Sequence, residues 1–144
     1  MSLEDWRSSG WLSSHQSSAR EVVELLALAD RDLRDCQAAG LSADWKFNIA
    51  YNALLQAATA ALAAGYRASR ELHHYRVLQS LALTVGLDGS AIRKLDAFRK
   101  KRSLTAYERI GAVSDQEVGE MVQTARTVRR QVEAWIRKAR PDLL

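Results

Sequence analysis

No charged residue occurs between Lys46 and Arg67. The intervening run, FNIAYNALLQAATAALAAGY, is long enough to raise the question of a membrane span. Asn48, Asn52 and Gln56 interrupt it, and alanine, the strongest helix former, dominates the rest. A helix apolar nearly all round, with such interruptions, belongs at the centre of a soluble bundle where neighbours cover every face. Ser42 is its candidate N-cap and Gly65 its candidate stop. Its polar residues Asn48, Asn52, Gln56 and Thr59 recur at i, i+4, i+8 and i+11, forming one uncharged stripe. That stripe reads as a weakly solvated face or a subunit interface, with a ligand-lining face as the alternative.

A central helix needs others around it, and the remaining sequence supplies them. With one proline and seven glycines in 144 residues, the chain has too few turn formers for an all-β sandwich. Ser18 and Glu21 have capping-box spacing, and Val22, Leu25, Leu26, Ala29, Leu33 and Cys36 then share a face up to Gly40. A further helix is expected from about Ser69 to Val85. On it His74 sides with Leu78, Leu81 and Val85, and His73 with Arg76, Ser80 and Thr84. After a turn at Asp88 and Gly89, Ile92, Leu95 and Phe98 mark another buried face. The last helix opens with a Ser114 and Glu117 capping box and buries Val118, Met121, Val122, Ala125, Val128, Val132, Trp135 and Ile136. Arg137, Lys138 and Arg140 complement its dipole, and Pro141 stops it. The first dozen residues form either a short turn burying Trp6 and Trp11 or a partly disordered lead. The expected fold is all-α: one domain over residues 1–144, an antiparallel bundle of four to five main helices with one or two short ones. Residues 1–15 are the segment expected to pack loosely.

Candidate chemistry is sparse. There is no glycine-rich phosphate loop, and one cysteine with three histidines cannot make a zinc cluster. Glu71 and His74 occur once at i, i+3, whereas a di-iron bundle needs the pair twice. No metal and no cofactor are expected. The lone Cys36 fits a reducing cytoplasm, and the N-terminus lacks the apolar core of a signal peptide. A net charge of +4 permits nucleic-acid binding without requiring it. The charge is concentrated, since Arg93 to Arg109 holds seven basic residues against two acidic ones. Within AFRKKRSLTAYER, Arg99 and Arg102 are i, i+3 neighbours, while Lys100 and Lys101 project elsewhere. The stretch reads either as a solvated helix end complementing the dipole or as a phosphate site.

Residues 44–107 resemble a HEPN domain, a helical-bundle family linked to prokaryotic nucleotidyltransferases and to RNases of toxin–antitoxin and defence systems. AYNALLQAATAALAAGYRASRELHHYRVLQSL is similar to the family's alanine-rich helix ending in glycine, followed by a helix with a histidine and then leucines. RSLTAY stands where the family has arginine, often asparagine, and then histidine; many members have a tyrosine there instead. The resemblance implies that Arg102 is the motif arginine, that Ser103 sits at the asparagine position and that Tyr107 replaces the histidine. In RNase members two such motifs meet across a dimer interface and cleave RNA without metal. The arginine stabilises the crowded phosphate and the histidine moves a proton. A tyrosine, with an ordinary pKa of about 10, is a poor base at neutral pH. The expectation is therefore a non-catalytic HEPN-like module in a toxin–antitoxin or defence-type system. It would bind a partner protein, a nucleotide or RNA through Arg99, Lys101, Arg102, Ser103 and Arg109. A metal-independent RNase toxin, with Arg102 and Tyr107 as catalytic residues, is the alternative. His73 and His74 are accessory candidates. A homodimer and a nucleotidyltransferase-like antitoxin are the implied partners, with no membrane association.

Overall fold

A computed structural model of the chain describes residues 1–107 and 111–144, with the backbone alone for 105–107. It is an all-α bundle with one very small sheet. Four long helices, α2 (Ala19–Asp35), α3 (Ala43–Ala63), α5 (Gly89–Tyr107) and α6 (Asp115–Ala139), carry the core. Two short ones, α1 (Leu3–Ser8) and α4 (His73–Gln79), complete it, and a 3-10 turn at Ser80–Ala82 extends α4. No helix of the described residues is long and apolar enough to cross a membrane.

The charge-free segment is the central helix. Along α3, Phe47, Tyr51, Leu54 and the alanines Ala50, Ala53, Ala57, Ala58, Ala60 and Ala61 are all essentially inaccessible. Alanine brings the neighbouring backbones close, and α2 and α6 take the two largest faces of α3. Ser42 caps it, its hydroxyl accepting from Trp45 N at 3.1 Å. The start of α6 has the full capping box: Ser114 Oγ accepts from Glu117 N, and the Glu117 carboxylate accepts from Ser114 N. Met121, Val122, Ala125, Val128, Val132 and Ile136 form its buried stripe, with Val118 and Trp135 partly buried beside it. Cys36 is a buried core residue whose thiol donates to the Leu33 carbonyl; burial pushes its pKa up.

Four local expectations change. At Ser18 only half of the capping box forms: Ser18 Oγ accepts from Glu21 N, while the Glu21 side chain turns to His15. α2 ends at Asp35, before Gly40. The helix expected from Ser69 begins only at His73, because Leu72 takes a left-handed conformation (φ 52°) that a helix cannot continue through. Its presumed polar face is buried at Ser80 and Thr84, whose hydroxyls donate to the carbonyls of Val77 and Ser80. The 3-10 turn shifts the periodicity there, and Gly86 (φ 82°) then closes the unit with its N–H on the Leu81 carbonyl. α5, by contrast, runs unbroken through Arg102 to Tyr107, so all four basic residues Arg99 to Arg102 lie on regular helix.

The N-terminal segment is tied down. Strand β1 (Leu12–Ser14) pairs antiparallel with β2 (Tyr66–Ala68), placing Leu12 opposite Ala68 and Ser14 opposite Tyr66. Bonds from His15 N to the Gly65 carbonyl and from Ser69 N to the Trp11 carbonyl extend the pairing. Trp6 is buried, Trp11 packs edge-on against it, and the Arg76 guanidinium lies 4.5 Å over the Trp11 ring.

Candidate functional site

The four consecutive basic residues of α5 separate once their partners are known. Asp96, one turn back, takes Arg99 at 2.8 Å and the exposed Lys100 at 3.4 Å. Burial alone would raise the Asp96 pKa, but hydrogen bonds and charge from Arg99 and Lys100 outweigh it and hold the carboxylate ionised. Lys101 turns toward α6 and pairs with Glu117 at 3.2 Å. Glu117 is thus shared between a helix cap and a lysine. Its pKa is held low first by the Ser114 backbone bond and further by Lys101.

Arg99, besides its pair with Asp96, and Arg102 lie against aromatic rings. The Arg99 guanidinium is 5.3 Å from the centroid of Tyr75, a partly exposed ring on α4. The Arg102 guanidinium is 5.6 Å from the centroid of Tyr51, which has no exposed surface. His74, in the first turn of α4, also packs near Tyr51, with ring centroids 6.1 Å apart and the rings tilted. Three helices therefore supply one cluster: Tyr51 from α3, His74 and Tyr75 from α4, and Arg99 and Arg102 from α5. Ser103 is exposed beside Arg102. The side chain of Tyr107, and Arg109 entirely, lie outside the described residues.

The electrostatics of the cluster follow from its packing. Burial pushes the Tyr51 phenol up to about 12, against the opposing pull of Arg102 and Arg99. Burial also lowers the His74 pKa, and the charges of Arg102, His73 and Arg99 lower it further. At neutral pH the cluster therefore combines cationic guanidinium groups with a neutral imidazole and a neutral phenol. Arginine forks suit phosphate oxygens, and a neutral imidazole can accept a proton.

The adjacent histidines part company. His73 turns away from this cluster, with Nδ1 3.2 Å from the Ser69 carbonyl, and lines a cavity of about 440 Å³ between α2, α3, β2 and α4. That cavity also takes in Thr59, the last member of the α3 stripe, and the His15–Glu21 pair. His15 Nε2 lies 2.9 and 2.8 Å from the two carboxylate oxygens, so Nε2 carries the proton. Of the implied site residues, the structure thus joins Arg99, Arg102 and His74. It sets Lys101 toward α6 and His73 in a separate cavity.

Sequence reasoning did not single out Tyr51 and Tyr75 or the cavity. Tyr51 carried a weak signal, as a tyrosine in the middle of the charge-free run, one helical turn from Phe47. The cavity carried none, because it joins residues from His15 to Val77 through strand pairing that no local pattern announces. Comparison of the chain with protein-family models gives no match, and comparison with curated proteins gives none either.

Proposed function

We propose that the chain is a HEPN-like helical module that binds a phosphate-bearing ligand, RNA or a nucleotide, without cleaving it. The binding face is the Arg99–Arg102 side of α5, in a toxin–antitoxin or defence-type system. One observation carries this reading: two arginines on successive turns of α5 lie over aromatic rings, one buried and one partly exposed. A guanidinium held over a ring loses less freedom on meeting phosphate, and the accessible Tyr75 offers a face on which a base can stack. Arg99 shares Asp96 with Lys100, and Lys101 pairs with Glu117, so the preference for arginine rests on its planar fork, which suits phosphate oxygens better than the point charge of a lysine. The resemblance adds a homodimer and a nucleotidyltransferase-like antitoxin as partners within this proposal.

His74 favours a second reading. A neutral imidazole whose pKa is lowered by burial and by nearby Arg102 could serve as the proton acceptor that the Tyr107 position lacks. This is the metal-independent RNase.

Fluorescence anisotropy with labelled single-stranded RNA, followed by denaturing gels of the same samples, separates the readings. The binding module predicts saturable binding, intact RNA and a loss of about tenfold or more in Arg102→Ala. RNA shortened by the wild type but spared by Arg102→Ala and His74→Ala would replace it with the RNase reading. Absence of both binding and cleavage would end both.

A further inference from the structure

We propose that the cavity between α2, α3, β2 and α4 is a binding site for a small amphipathic monoanion, an apolar body bearing one carboxylate. Its volume of about 440 Å³ falls within the range of small-ligand sites. Leu25, Leu28, Leu62 and Val77 give it an apolar lining. Arg67 of β2 and Arg70 just beyond it are exposed at its wall, and their guanidinium groups have no hydrogen-bond or ion-pair partner among the described residues.

The acidic side chains on the same walls are already engaged. Glu21 is held by His15 at 2.8 Å and accepts from Ser17 Oγ at 3.3 Å, and Glu24 pairs with Arg20 at 2.9 Å. What the cavity offers an incoming molecule is therefore an apolar surface with two uncommitted guanidinium groups beside it. A cation would meet like charge, and a neutral polar molecule would leave the leucines uncovered. A carboxylate with a hydrocarbon body satisfies both features, since arginine forks bind carboxylates bidentately. The site stands apart from the Arg102 cluster: His73 lines it, whereas His74 faces Tyr51. It does not depend on the phosphate reading.

Isothermal titration of the full chain with sodium octanoate tests the proposal, with 1-octanol and octylammonium chloride as neutral and cationic controls. Octanoate should bind once per chain, about tenfold or more tighter than either control. Replacing both Arg67 and Arg70 with Ala should remove that preference and leave octanol unchanged. Both arginines are exposed, so this variant keeps the fold, which circular dichroism checks. Leu28→Trp, filling the lining, should abolish binding of octanoate and octanol alike. The proposal is overturned by no saturable octanoate binding, by equal affinity for the controls, or by an affinity indifferent to the arginine pair.

Discussion

Tyr51 is wholly buried, and its hydroxyl finds no hydrogen-bond partner among the described residues. An unsatisfied buried hydroxyl costs about 1–3 kcal/mol, so Tyr51→Phe should leave stability unchanged or raise it. A loss above about 1 kcal/mol in urea unfolding would contradict the arrangement. The phenol also gives the molecule an alkaline signature. Its folded pKa, about 12, lies above the unfolded value near 10. Between those values the unfolded chain has lost the proton and the folded one has kept it. The contribution is therefore full below pH 10 and lost as pH rises toward 12, at about 1.4 kcal/mol per pH unit. Tyr51→Phe should flatten that slope relative to the wild type. His74 acts at the other end. Its folded pKa is below the ordinary 6.5, so its contribution is present above that pH and lost on acidification as the unfolded chain takes up the proton. NMR titration should place the His74 imidazole below 6.5; a normal or raised midpoint would refute its packing against Tyr51 and Arg102. That Arg99 and Arg102 share a helix face was legible in sequence from their i, i+3 spacing. Tyr51 was not, because periodicity tells which residues face inward but not which helix meets them.

Helix ends were legible where a side chain acts on its own backbone. Ser42 and Ser114 cap as their spacing suggests, and Ser114→Ala should cost about 1 kcal/mol in urea unfolding, with no change contradicting the capping role. At Ser18 the same spacing forms half a box, because His15, brought near by the β1–β2 pairing, draws the Glu21 carboxylate away. That competition is tertiary, and a local pattern holds no trace of it. The same holds for α4. Its apolar periodicity extends back to Ser69, yet the chain there is taken into β2 and the bonds of Ser69 with Trp11, and Leu72 turns left-handed to rejoin the helix. Starting α4 at His73 puts the two histidines on separate sites. Small elements joined across fifty residues thus decided details that the long helices left open.

At the scale of the molecule, the all-α bundle was legible because α3 can be stable only when covered on every side, and α2, α5 and α6 have matching apolar stripes. The bundle then does two things that no single helix could. It brings Tyr51, His74, Tyr75, Arg99 and Arg102 together from three helices, and it opens a separate cavity across α4. The central claim is that Arg102 meets phosphate. Its most direct test is the salt dependence of single-stranded RNA binding, because each neutralised phosphate adds about 0.7 to the slope of log affinity against log salt. Arg102→Ala should weaken binding at every salt concentration and lower that slope by about 0.7, while Lys100→Ala should change both far less. A slope and an affinity that stay at the wild-type values in Arg102→Ala would contradict the account.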